Sequence, residues 1–406
     1  MNWWRDVRSS FILHRSSLKA LPPRLSAAVV FYILHVLLMG KIALAELMAF
    51  WAIFFLAWAM AKEGVRPSFH IVYYPLALYG LVSTVSALAA PVRIHSAAEG
   101  MLWFKMLIFP TALILYREVA WLRKLIVAAY GLLAIGIANW GLIEFVFFDR
   151  RDLERRINGP STHVMTFSGL LLPLSLMLLV MWWHQRKRWQ LLGVITVSVT
   201  LLLTFTRSVW LGWAAAFLVL IVIARMRFRF LIWVAPALVF FLTFMPLNLF
   251  GRLMSTFDMR QSSNFDRIRM LEAGVEIIKD FPVLGVGPAN VKEIYSLYRK
   301  PDAPRPRPPH LHNNVVQLWA ERGILGLAAY VILLVLFLRH CAEALRGPNR
   351  MWGEIGIAAA VSLTVAGLFE FNFGDTEVFY LMLNLFALVI ASSEAEETEA
   401  EHEATA

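Results

Sequence analysis

The chain has 406 residues, 59% of them hydrophobic and 16% charged, with a mean hydropathy of +0.63. Soluble domains run nearer about 45–50% apolar and about 25% charged, so a fold surrounded by water is excluded and lipid must replace much of the solvent. The formal net charge of +10 would point to nucleic acid in a soluble protein, but the inner loops of a membrane protein carry the same excess, and no nucleic-acid partner is expected.

In chain order, a basic stretch from Arg5 to Arg24, an apolar run at 25–39 and Ala43-Leu44-Ala45 superficially resemble a cleaved signal peptide. Lys41 interrupts the approach to that site and the apolar run resumes to Met60, so an uncleaved hairpin of two spans is expected. A helix needs about 20 apolar residues to cross about 30 Å of hydrocarbon. Charge-poor stretches meeting that need lie at 25–39, 42–60, 70–90, 101–116, 125–146, 164–183, 190–206, 208–224, 230–249, 316–338, 353–371 and 377–391. Residues 191–224 carry a single charge, Arg207, and are too long for one span, which places a turn at Arg207. The only cysteine, Cys341, excludes an internal disulfide and a Cys-based metal cluster.

The expected fold is therefore an all-α polytopic membrane protein of about twelve helices. Residues 1–250 hold spans one to nine, 251–312 form a small helical subdomain, 313–392 hold spans ten to twelve, and 393–406 are an acidic tail. With a cytoplasmic N-terminus, inner segments carry nineteen Lys and Arg against seven in the short outer loops, the bias expected of that orientation. Twelve spans return the tail to the cytoplasm, as a disordered solvated end. Arg207, the 147–163 loop, the 251–312 loop and the segment from Glu370 to Glu377 then share the outer face.

Within 251–312, which carries ten Lys and Arg, Asn264 or Asp266 can cap a helix running to about Asp280, with Ile268, Leu271, Val275 and Ile278 on one stripe. Pro282 stops it, and Gly285, Gly287 and Pro288 turn into a second short helix at roughly 289–300. The Pro-rich 301–309 reads as a stiff extended strap delivering the chain to His310-Leu311-His312-Asn313. His312 falls near a helix start, where unpaired N–H groups and the macrodipole disfavour imidazolium, so a neutral ring can act as a general base. The same position equally suits an interfacial cap or a headgroup contact. His310 with His312 is also a metal pair in type, but no third ligand lies nearby in sequence and no metal is expected. Arg267 and Arg269 point to different faces of their helix; Arg269 can pair with Glu272 or Glu276. Arg207 can snorkel to headgroups or, with other arginines and a histidine around one cavity, bind a diphosphate through its planar fork.

These residues resemble a known family. His312-Asn313, nine residues, then Gly323-Ile324-Leu325-Gly326 is similar to the H-N-x9-G-x-x-G signature of the O-antigen ligases. Arg267-Ile268-Arg269-Met270-Leu271 resembles that family's R-x3-L element, Thr206-Arg207-Ser208 its arginine between two late spans, and Asn158-Gly159-Pro160-Ser161 its outer turn. The motifs cover roughly 155–330, and the span layout extends the likeness to most of the chain.

The resemblance implies a glycosyltransferase of the GT-C type at the periplasmic face of the bacterial inner membrane. Its donor would be a glycan on undecaprenyl diphosphate, its acceptor lipid A–core oligosaccharide, and it would need no cofactor. His312 would be the catalytic base and Arg207 and Arg267 the diphosphate ligands. Arg269, His310, His163 and Asn313 form a second tier, with Asn313 positioning or capping. Gly323 and Gly326 would permit close helix packing. A polysaccharide polymerase using two undecaprenyl-linked glycans is the nearest alternative. A protein O-oligosaccharyltransferase or a lipid-glycan transporter fits less well: no extra soluble domain, internal repeat or intramembrane charge relay is visible.

Overall fold

The computed structural model describes residues 18, 20–90, 96, 103–147, 156–161, 163–224 and 262–405. Among them the chain is helical, without strands: α1 (Pro23–Leu37), α2 (Ile42–Lys62), α3 (Tyr73–Ala89), α4 (Trp103–Met106), α5 (Ile108–Glu118), α6 (Ala120–Phe147), α7 (Val164–Gln185), α8 (Arg188–Leu203), α9 (Arg207–Ile223), α10 (Ser262–Asp280), α11 (Val291–Tyr298), α12 (Asn314–Ala344), α13 (Arg350–Gly367) and α14 (Thr376–Thr405). The expected span at 230–249 and most of the basic N-terminal segment lie outside the described residues.

Five helices, α2, α6, α7, α12 and the first part of α14, are long and apolar enough to cross a membrane, and α1, α3, α8 and α9 are shorter apolar helices. Their surroundings differ. In α7 and α14 the most apolar window is 89% buried inside the protein, against 28% in α2 and 33% in α6. Helices apolar on all sides are stable only where every side is covered. The first two are therefore central pillars, and the second two leave broad faces for lipid. Around the pillars pack the pairs α1–α2, α9–α13, α12–α3, α14–α5 and α7–α8.

The break inside 191–224 falls where its lone charge puts it: α8 ends at Leu203 and α9 begins at Arg207. Arg156 holds that corner, donating from Nε to the Thr204 carbonyl at 2.9 Å and from Nη2 to Thr206 Oγ1 at 2.8 Å.

Four expectations are corrected. The stripe of α10 that packs is Met270, Ala273 and Ile277, with Gly274; of the expected Ile268, Leu271, Val275 and Ile278, only Ile278 packs against it, partly buried, and Val275 is exposed. Small residues win that face because Leu311 and Val316 press against Gly274, where a side chain would collide with them. The 301–309 strap is folded in turns, not extended. A Lys300–Ala303 turn and ion pairs from Arg305 to Asp266 and Arg307 to Glu293 tack it onto α10 and α11. The acidic tail continues α14 as helix to Thr405, consistent with the high helix propensity of its Ala and Glu.

Gly323, finally, is no simple packing residue. It adopts φ 66, ψ −173 and kinks α12; a Cβ there would run into the Val283 backbone carbonyl. Into the kink fits the 282–287 segment, with Val286 N donating to Ala320 O, Gly287 N to Glu321 O and Ile324 N to Pro282 O, each at 2.9 Å. The kink thus docks the small subdomain directly onto a long apolar helix.

Candidate functional site

Two junctions build the site. At the first, Asn313 caps α12: its Oδ1 accepts from Val316 N at 3.0 Å while its Nδ2 donates to Leu368 O at 2.8 Å. Asn314 continues the seam, donating to Asn372 Oδ1 at 2.7 Å and accepting from Phe373 N at 3.2 Å. These bonds clip the start of α12 to the loop between α13 and α14, and that loop carries Glu370. His312 itself takes φ 51, in the left-handed region. Non-glycine residues are held there at a cost of about 1–3 kcal/mol, and such strain clusters at functional sites.

The outcome is a histidine–carboxylate pair. His312 Nδ1 lies 3.0 Å from both oxygens of Glu370. His310 Nε2 is 3.5 Å and Arg267 Nη2 3.6 Å from the same carboxylate, and the two imidazole rings are 4.2 Å apart. Burial acts to raise the Glu370 carboxyl, but the hydrogen bond and charge of His312, with His310 and Arg267, hold it below the usual carboxylate range. Burial pulls His310 down to about 4, so it is uncharged at neutral pH. Arg267 is also lowered by burial, with Glu370 opposing, from a range so high that a guanidinium keeps its charge. An ionised carboxylate only accepts, so His312 Nδ1 must donate to it, and Nε2 is left as the ring's basic atom.

At the second junction Arg207, the first residue of α9, donates from Nη2 to Ser263 Oγ at 2.9 Å and Asn264 Oδ1 at 3.0 Å in the first turn of α10. Asn264 thus receives an arginine, where the sequence suggested a cap. Arg267 lies four residues beyond Ser263 on the same face of α10, one helical turn away. A cation at the N-terminal turn of a helix works against the macrodipole, so Arg207 at the start of α9 suits an anion beside it.

The remaining candidates fall elsewhere. Arg269 is tied to Glu272 at 2.7 Å and to Asp302 and stacks on Phe265, away from Glu370. His163 precedes α7 with an exposed side chain and makes no cap bond. Asn313 is the cap described above. Glu370 was the residue missed: it is 58 positions from His312, and its only sequence signal is a carboxylate in a short loop between two apolar helices. Glu370 also supplies the third ligand that sequence spacing lacked. One ligand atom each from His310, His312 and Glu370 lie within 4.8 Å of one another, a set that can hold a metal ion. The Arg267 guanidinium beside that carboxylate disfavours a cation there.

The fold and this geometry define a membrane-embedded helical protein with a histidine–carboxylate–arginine site at one end. Residues 192–331 match the family described as O-Antigen ligase. The matched range contains Arg207, Arg267, His312, Asn313, Gly323 and Gly326. Among curated proteins no sequence matches the chain.

Proposed function

We propose that the protein is a GT-C-type glycosyltransferase acting as an O-antigen ligase at the periplasmic face of the bacterial inner membrane. It moves a glycan from undecaprenyl diphosphate to a hydroxyl of lipid A–core oligosaccharide. The observation that carries this reading is the His312–Glu370 pair with Arg267 beside it, His312 and Arg267 both falling within residues 192–331, which match the O-antigen ligases.

In the mechanism, His312 Nε2 takes the proton of the acceptor hydroxyl as its oxygen attacks the anomeric carbon. The bond from that carbon to the diphosphate oxygen breaks, and undecaprenyl diphosphate leaves. Glu370 holds the ring in the productive tautomer and balances the imidazolium that forms, the orienting role a buried carboxylate plays in other catalytic histidine pairs. Arg207 and Arg267 receive the charge that grows on the departing diphosphate. A single displacement inverts the anomeric centre. In this reading the arginines do the electrostatic work that a divalent ion does in other sugar transferases.

The test supplies purified protein with undecaprenyl diphosphate–glycan plus either rough lipopolysaccharide or a second lipid-linked glycan, in EDTA. The expected result is transfer to lipopolysaccharide only, at undiminished rate. Elongation of the second glycan would instead define a polymerase, and EDTA-sensitive transfer would assign His310, His312 and Glu370 to a metal.

A further inference from the structure

Beside His312 lies a cavity of about 250 Å³, walled by Lys105, Ala289, Lys292, His310, Glu321 and Arg322 among others. None of Arg207, Asn264 or Arg267 lines it. His310 is the partition, reaching Glu370 on one side and the cavity on the other.

Three cations, Lys105, Lys292 and Arg322, line the cavity against one carboxylate, Glu321. Arg322 pairs with Glu321 at 2.8 Å, and both are buried. Lys105 pairs with Glu46 at 2.9 Å and donates to Thr376 Oγ1 at 3.0 Å. Lys292 has no hydrogen bond or ion pair among the described residues, so an ammonium remains uncompensated at the wall. The wall is also built with care: Ala289 is held at φ 60, and Gln317, Glu321, Arg322 and Ser83 form a buried hydrogen-bonded chain behind it.

An apolar groove of about 460 Å³ adjoins, between α3 and the α4–α5 corner, and Met106 lines both spaces. It runs along α3 from Tyr73 to Thr84, about 16 Å at the helical rise of about 1.5 Å per residue. That is close to half of the ~30 Å hydrocarbon core, the depth of one leaflet. The Thr84 end lies by the cavity, where Ser83 and Ser86 of α3 bond to Arg322 and to the Leu284 and Glu321 carbonyls.

We propose that cavity and groove form one subsite for an anionic amphiphile of the leaflet facing the site. Its phosphate or carboxylate headgroup binds at Lys292, Lys105 and Arg322, and one hydrocarbon chain lies along α3. Resting on the glycosyl-transfer reading, this subsite takes the acceptor lipid, across His310 from the donor diphosphate at Arg207 and Arg267. His312 then stands between two lipid-anchored substrates that enter from different sides.

The test measures binding of a fluorescent single-chain alkyl phosphate, and of the alcohol with the same chain, to the full-length protein in detergent. Lys292→Glu and Ala77→Trp, the second filling the groove from an exposed position, are each expected to weaken phosphate binding about tenfold or more, as loss of a charge-assisted contact does. His312→Ala should bind the probe normally. In transfer assays Lys292→Glu should raise the acceptor KM and leave the donor KM and kcat unchanged. Equal binding of phosphate and alcohol, or no effect of either variant, overturns the subsite. Full displacement by inorganic diphosphate with Ala77→Trp silent makes it a soluble-anion site and overturns the lipid assignment, and a raised donor KM for Lys292→Glu returns it to the donor. Normal probe binding without any glycan transfer by the wild-type protein sinks the transferase reading alone and upholds the subsite.

Discussion

Among the described residues two glutamates, Glu354 and Glu370, pair with histidine, and their difference separates a contact that closes a helix junction from one that leaves work to be done. In one, His184 at the end of α7 meets Glu354 near the start of α13 at 2.7 Å, and Arg350 takes the other oxygen at 2.9 Å. His184 and Glu354 themselves sit in helix, with Arg186 in the left-handed turn that ends α7, and both Glu354 oxygens are engaged. In the other, His312 stands in a left-handed turn, Glu370 faces it with both oxygens, and Arg267 and His310 stop short at 3.6 and 3.5 Å. Phe371 N also donates to Glu370 Oε1 at 3.2 Å, so the carboxylate gathers two imidazoles, a guanidinium and a backbone N–H, beside a cavity that His310 lines. A histidine–carboxylate contact is therefore a poor marker of function by itself; strain at the histidine and a cluster of further titratable groups around the carboxylate are better ones.

Replacing both histidines breaks the comparison most directly. His312→Ala is expected to lower glycan transfer by about 10³-fold or more, the scale of a lost general base, with insertion and expression intact. His184→Ala should leave transfer within about threefold, since Arg350 still pairs with the buried Glu354 and the loss falls on stability instead. Transfer rates and melting curves of the two purified variants decide this, and equal activity of the two would remove the base assignment.

Next in size are the arginines. Arg207→Lys and Arg267→Lys keep the charge but lose the fork, and each should cost about tenfold in kcat/KM for the donor. Full activity of Arg207→Lys would reduce that residue to a link between α9 and α10 or a headgroup contact.

His310 should matter least. Its ring is held neutral, near 4 against an ordinary value of about 6.5, so His310→Gln is expected to change transfer by less than about fivefold, equally at pH 6, 7 and 8. The shift also fixes a sign for stability. Between pH 6.5 and 4 the unfolded chain binds a proton that folded His310 refuses, so wild-type stability falls as pH drops through that window, and His310→Gln should flatten the fall.

Much of this was legible in the sequence, for identifiable reasons. Apolar runs punctuated by charge fixed the helices because the cost of a charge in hydrocarbon is large, and the same cost marked the corner at Arg207. Asn after His at a helix start identified the cap, whose geometry is local. What stayed hidden depended on contacts between distant segments. Glu370 reaches His312 only because Asn313 and Asn314 tie two junctions together. The docking role of Gly323 needs the 282–287 segment pressed into the kink, and the packed face of α10 is chosen by Leu311 and Val316 against Gly274. The turns of the strap depend on acids of α10 and α11 that no pattern within 301–309 announces.

The central claim is that Glu370 makes His312 a base, whereas Glu354 merely joins two helices. The decisive measurement is kcat for Glu370→Gln beside Glu354→Gln, at saturating donor and acceptor. Glu370→Gln is expected to lose about a hundredfold or more in kcat, as removal of an orienting carboxylate does, with both KM values nearly unchanged and Glu354→Gln at the wild-type rate. Wild-type kcat in Glu370→Gln, or an equal loss in both variants, would contradict it.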